Sequence, residues 1–208
     1  FTAAGVTGVT VTNLNAIQDA LASASVNGQA ANTTAQVQAI VDAYNTVLAQ
    51  ANDAADSAGN NTSATTANAT AAQYALIGAD IGTAASDTDN LALLNDAVAG
   101  KQAADVDTVA EINTLARIAN AIQLTAADGT ATPALSVADF VTLGLTGVTV
   151  DNLPAVLAAI AAKVNTGADT DTLGKLQAVI TATAAAQNTA INLIATYAET
   201  GATAPAET

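Results

Sequence analysis

A motif built around two glycines occurs twice, nearly unchanged, in distant parts of the chain, and this self-similarity limits the available folds more than any other feature. Phe1-Thr-Ala-Ala-Gly5-Val-Thr-Gly8-Val-Thr-Val-Thr-Asn13-Leu14 returns as Phe140-Val-Thr-Leu-Gly144-Leu-Thr-Gly147-Val-Thr-Val-Asp-Asn152-Leu153. The two share the aromatic, both glycines, the run Thr-Gly-Val-Thr-Val and the closing Asn-Leu. A looser copy opens at Tyr74-Ala-Leu-Ile-Gly78 and, after a longer turn through Gly82, rejoins the pattern at Asp89-Asn90-Leu91. Similarity at a long, nearly constant period marks a repeat architecture in which each period is one supersecondary unit. With copies starting at residues 1, 74 and 140 of 208, the chain holds three periods.

The second half of each period also aligns. Val37, Ile40, Val41 and Asn45 correspond to Ile112, Leu115, Ala116 and Asn120, and Leu176, Val179 and Ile180 take the same places in the last copy. Apolar residues at Leu14, Ile17 and Leu21, at Val37, Ile40, Val41, Tyr44 and Leu48, at Val109, Ile112, Leu115, Ile118 and Ile122, and at Leu153, Val156, Leu157 and Ile160 fall at steps of three and four, which is helical spacing. Ser136 is placed to cap a short helix through Phe140, and Gly144 to stop it. Pro154 suits a first helical turn, where its missing N–H is not needed. The expected fold is all-α, a tandem array of three small helical-bundle modules: 1–66, with a truncated first helix, 67–132, and 133–208, ending in a lead-in tail. A module of this size buries a modest part of its surface, so stacking on neighbours must supply much of its stability. Phe1, Tyr74 and Phe140, three of five aromatics, are the expected core anchors.

Composition removes most chemistry. The chain has no Cys and no His, so thiol nucleophiles, zinc sites and imidazole bases are excluded. A net charge of −14 repels nucleic acid and anionic lipid, and no apolar run approaches the ~20 residues of a membrane-spanning helix, so neither nucleic-acid binding nor membrane insertion is expected. The pairs Asp87/Asp89, Asp105/Asp107 and Asp169/Asp171 could ligate calcium through oxygen. They stand just ahead of predicted helices, however, where Asp and Thr cap and favour the helix dipole. Capping is the preferred reading, calcium the lesser one, and no other cofactor is expected. Gly167 to Lys175 lacks the glycine spacing of a phosphate loop and carries two aspartates that repel phosphate. Asn32, Asn60, Asn61 and Asn68 each open an Asn-x-Ser/Thr triplet; Asn60, Asn61 and Asn68 lie in a polar linker and are the candidate glycosylation positions.

The first residue is Phe rather than Met, which reads as a processed terminus or a piece of something longer. The tail Gly201-Ala-Thr-Ala-Pro205-Ala-Glu-Thr208 resembles the Pro133-containing lead-in before Phe140 but has no helix after it, while Phe1 has no lead-in before it. Head-to-tail association is therefore expected, with Pro205 and its neighbours docking beside Phe1 of the next copy.

The Ala-rich helices, the Phe-x-x-x-Gly-x-x-Gly-Val-Thr turn, the Asn-Leu pair and the Asp-x-Asp-Thr lead-in resemble the helical tandem modules of giant bacterial cell-surface proteins of the adhesin type. That resemblance covers all three periods. It implies an exported, cell-surface or extracellular protein that serves as a stalk, fibre or connector. The expected function is a non-catalytic structural subunit or repeat segment of an extracellular filament, sheath, surface layer or adhesin stalk, with copies of itself as partners. The alternative is a three-helix binding module that recognises a host or matrix protein.

Overall fold

The computed structural model describes residues 1–51, 67–163 and 167–200. Among them are eight α-helices and no strand: α1 (Leu14–Ala22), α2 (Thr34–Ala51), α3 (Ala71–Leu76), α4 (Thr88–Ala99), α5 (Val109–Asp128), α6 (Val137–Thr142), α7 (Leu153–Ala161) and α8 (Leu173–Thr200). Short 3-10 turns at Thr2–Ala4, Gly82–Ala85 and Ala103–Asp105 complete the regular structure. The protein is all-α. The brief Val148-Thr-Val150 run, β-branched but too short to pair, forms no strand.

Short helices or turns precede each glycine pair for a shared reason. Val6 N–H bonds to Phe1 O, Ala79 N–H to Tyr74 O, and Leu145 N–H to Phe140 O, while Gly5, Gly78 and Gly144 donate to the carbonyls of Thr2, Ala75 and Val141. This pair of bonds is the Schellman arrangement, which needs a left-handed residue after the helix. The three glycines provide it, with φ of 76°, 81° and 86°. At Gly78 space matters as well, because a Cβ there would lie 2.9 Å from that of Ser23.

The N-termini are capped as their sequences predict. Thr70, Thr108 and Ser136 form reciprocal capping boxes with Gln73, Glu111 and Asp139, and Pro154 lies in the first turn of α7. Thr33 and Thr172 accept from the N–H groups of Gln36 and Lys175, three residues on.

Packing is continuous. Among the described residues one buried cluster runs from Ala16 to Ile180 and contains Tyr44, Tyr74, Leu93, Leu94, Ile112, Ile118, Ile122 and Phe140, and Val6, Ile17 and Val41 form a separate small group. α1 packs on α2, α4 on α5 and α7 on α8, and further contacts link α2 to α3 and α4, α1 to α5, α5 to α7 and α4 to α8.

One expected core anchor is not in the core. Tyr74 and Phe140 are fully buried, but Phe1 is 39% exposed. Phe1 shares the carbonyl bond that Tyr74 and Phe140 make, but it stands ahead of a 3-10 turn where they lie within α-helices. Tyr74 sits on α3, which packs against the preceding long helix α2. Among the described residues no long helix packs over Phe1 in this way.

Candidate functional site

The most organised polar structure in the molecule lies where the long helices meet the glycine turns and each other. At each turn a side-chain amide on the following long helix grips a backbone peptide. Gln38 Oε1 accepts from Thr7 N–H at 2.8 Å and its Nε2 donates to Thr7 O at 3.1 Å. Gln177 does the same to Thr146, at 3.0 Å in both directions. The shorter Asn113 makes one of the two bonds, accepting from Asp80 N–H at 2.8 Å.

In the first and third periods the Asn of the Asn-Leu pair closes the turn from the other side, whereas Asn90 of the second donates to Thr83 Oγ1 and Asn120 Oδ1. Asn13 Nδ2 donates to Gly8 O at 2.8 Å while its Oδ1 accepts from Thr10 N–H, and Asn152 repeats this on Gly147 O, at 2.7 Å, and Thr149 N–H. Asn45 adds a bond to Gly8 O, and Asn120 bonds Ile81 O. At the corresponding place on α8 stands Ala184, which has no amide to offer. A side-chain amide that both donates and accepts mimics a peptide and so satisfies turn groups that neither helix nor sheet can pair.

Between the periods a second device recurs. Asp19 on α1 accepts from Val109 N–H, the first residue of α5, at 2.7 Å. Asp96 on α4 accepts in the same way from Leu173 N–H, the first residue of α8. Both aspartates stand six residues after the Asn of their Asn-Leu pair. N–H groups in the first turn have no acceptor within their own helix, and a carboxylate there also favours the dipole. The carboxylate thus caps a helix one period further along the chain. At the third such position is Ala158.

The cores beside these caps differ. Where α2, α3 and α4 meet, Gln50 Nε2 donates to Asn95 O at 2.6 Å, Gln50 Oε1 accepts from Ala69 N–H at 2.9 Å, Asn95 Nδ2 donates to Ala69 O at 3.0 Å, and Tyr74 OH donates to Asn95 Oδ1 at 2.9 Å. Burial pushes the Tyr74 phenol far above its ordinary range, so it remains a donor. One period on, Phe140 and Leu157 occupy the places of Tyr74 and Asn95, and the polar pair is gone. The link there is instead Arg117, on α5, to Asp139, on α6. Burial raises the Asp139 pKa, but hydrogen bonds from Arg117 and Ser136 outweigh it and leave the group below the ordinary carboxylate range.

The calcium candidates are scattered among other tasks. Asp87 is the N-cap of α4, accepting from the N–H groups of Asp89 and Asn90, and Asp105 caps its 3-10 turn through Gln102 N–H. Asp171 pairs with Lys175 at 2.7 Å. The cap of α5 is Thr108 rather than Asp107, because the hydroxyl is one residue nearer the first turn. Burial, then the charges of Asp171 and Asp87, raises the pKa of Asp89. Among the described residues no three carboxylates gather into a group that could hold a metal ion, and no helix is long and apolar enough to cross a membrane. Asn32 and Asn68 are exposed; Asn60, Asn61 and Pro205 lie outside the described residues.

A cleft of about 520 Å³ lies against α5, lined by Asn113, Arg117, Asn120 and Leu124 of that helix and by Gly82, Pro133 and Gly167. Gln123 lines it and is buried, and its Nε2 has no partner. A shallower hollow on α2, lined by Asp42, Asn45, Thr46, Ala49 and Ala67, occupies the corresponding place one period earlier.

No family model, curated protein or solved structure matches the chain. The amide grip of Gln38, Asn113 and Gln177, and the cross-period caps of Asp19 and Asp96, are the features that sequence reading missed. Both are visible in the alignment of the three periods, the first as an amide beside Val37, Ile112 and Leu176, but Gln, Asn and Asp are too common in this chain to stand out.

Proposed function

We propose that the chain is a non-catalytic structural segment of an extracellular filament, sheath, surface layer or adhesin stalk, built of three like modules stacked in series. The observation that carries this reading is the repeated cap between periods, Asp19 to Val109 and Asp96 to Leu173. A linear array is defined by a junction that each unit makes with the next in the same way. The continuous core and the recurring left-handed glycine after each short helix or turn, at Gly5, Gly78 and Gly144, support the same reading. The amide grips and cross-period caps hold side chain to backbone, as structural devices do. Copies of the chain are the natural partners of such an array. A second reading, a module that binds a host or matrix protein, is favoured by the cleft on α5.

Immunogold electron microscopy of the cells or material that carry the chain tests the proposal. Label spaced along a fibre, sheath or lattice is the expected outcome. Label found only on dispersed protein, or only on a separate partner's surface, contradicts it and favours the binding module.

A further inference from the structure

The second period departs from its neighbours at two places on α5, and each departure leaves an amide donor over in the same cleft. Gln38 and Gln177 hold the turn backbone with oxygen and nitrogen alike, but Asn113 reaches only Asp80 N–H, through its Oδ1, and its Nδ2 is left over. Further along α5, Gln123 stands where α2 has the apolar Leu48. Gln123 is only 4% exposed and its Oε1 accepts from Thr170 Oγ1 at 3.0 Å, while its Nε2 has no hydrogen-bond partner among the described residues. A buried donor without an acceptor is costly, and a ligand oxygen placed against it removes that cost.

Asn113, Arg117 and Gln123 all line the cleft of about 520 Å³ against α5. Arg117 uses Nη2 on Asp139, which leaves the other N–H groups of its fork. Acceptors face the same space. Asp80 and Asp87 take backbone N–H groups on Oδ1, leaving Oδ2 on each, and Leu124 and Pro133 add apolar surface.

These side chains select their ligand. It must accept from Asn113, Arg117 and Gln123 and donate to Asp80 and Asp87, and a hydroxyl does both; it also satisfies the Gln123 amide in either orientation. An anion would meet the charges of Asp80 and Asp87, with Arg117 already neutralised by Asp139. A bare cation would leave the amide donors unmet. The volume falls within the range of small-molecule pockets, roughly 300 to 1,000 Å³, and suits a sugar ring or two rather than a protein surface. We propose that this cleft binds a neutral saccharide, with hydroxyls on the three donors and two carboxylates and the C–H face of a ring against Leu124 and Pro133. The hollow on α2 is not such a site, because Asp42 and Leu48 take the places of Arg117 and Gln123 and Asn45 Nδ2 is already bonded to Gly8 O.

Nuclear magnetic resonance of the isotope-labelled 208-residue chain tests this, since the side-chain NH2 groups of Asn113 and Gln123 report directly. Glucose, galactose, mannose and N-acetylglucosamine, each also as its methyl glycoside, are titrated to about 20 mM, above the ~1 mM dissociation constant expected for so small a ligand. At least one should shift both NH2 pairs saturably and leave that of Asn45 unmoved. Methyl glycosides stand for a ring held in a glycan and reducing sugars for a free one, so the form that binds names the source. Asn113→Asp, which keeps the bond to Asp80, and Gln123→Met should each weaken binding about tenfold with an unchanged helical circular dichroism spectrum. Glucuronate should bind more weakly than any neutral sugar that binds. No shift with any of the sugars, shifts at Asn45 as large as those at Gln123, tighter binding of glucuronate, or binding that survives both substitutions overturns the site. An amide satisfied by water alone gives the first of these results. All of them leave the repeated junctions, and the structural reading built on them, standing.

Discussion

The junction of α2 with α3 and α4 and the junction of α5 with α7 use the same capping geometry around different interiors. The first holds a buried network of Gln50, Ala69, Tyr74 and Asn95. The second has Phe140 and Leu157 in place of Tyr74 and Asn95 and is fastened at its edge by Arg117 and Asp139. The cap and the glycine turn set how one period sits on the next, while the interior is free to be polar or apolar provided its members change together. A buried hydroxyl and its amide partner form a unit. Replacing one alone leaves an unsatisfied group, and replacing both by apolar groups of similar shape is nearly neutral.

The sharpest way to separate the two interiors is to remove their aromatics. Phe140→Ala should cost roughly 3 to 5 kcal/mol, the usual loss for deleting a fully buried ring, and is the largest effect expected in the chain. Chemical denaturation should show the residues around α6, α7 and α8 melting ahead of the remainder. A loss below about 1 kcal/mol would mean that the ring is not an anchor.

Next in size is Tyr74→Phe, which imports the second junction's residue into the first. It removes one of the two donors to Asn95 Oδ1, leaving Gln50 Nε2 at 3.3 Å, and should cost about 1 kcal/mol. Adding Asn95→Leu, the second junction's partner, also leaves Ala69 O without its amide donor, so the double variant stays less stable than the unaltered chain, but its loss should be smaller than the sum of the two single losses in a double-mutant cycle. Additive losses would show that the two interiors are not interchangeable.

The helices and turns were legible in the sequence because local rules decide them. Leu14, Ile17 and Leu21 show the period of α1, Gly5 and Gly144 supply the left-handed residue that the helix end needs, and Ser136 caps as its position predicts. Burial of a given position was less legible. Phe1 aligns with Tyr74 and Phe140 and shares their backbone bonds, yet its ring is exposed, since cover comes from a neighbouring helix and not from the motif. The caps were hard to read for a related reason: Asp19 and Val109 are 90 residues apart, and although Asp19 and Asp96 align, no local pattern ties an acidic side chain to a helix start at that distance.

The smallest expected effect concerns Asp89, near Asp87 and Asp171 at the second junction. Its raised pKa means that the folded state binds the proton more tightly than the unfolded chain does. The charged form therefore destabilises above the folded pKa, and that cost fades as pH falls through it toward the unfolded value. Asp89→Asn should stabilise the protein slightly at neutral pH, by less than about 1 kcal/mol given its partial exposure, and should make little difference near pH 3. Asp139, shifted the other way, contributes stability above the ordinary carboxylate range that is lost as pH falls through its lowered pKa.

Amide hydrogen exchange at Val109 and Leu173 tests most directly whether one junction is made twice. Each is the first residue of a helix, where an N–H has no acceptor in its own helix and exchanges freely unless something else holds it. The account predicts that both are protected, that Asp19→Ala removes protection at Val109 alone, and that Asp96→Ala removes it at Leu173 alone. Free exchange at either amide in the unaltered protein, or protection that survives loss of its aspartate, would contradict the shared junction on which the reading rests.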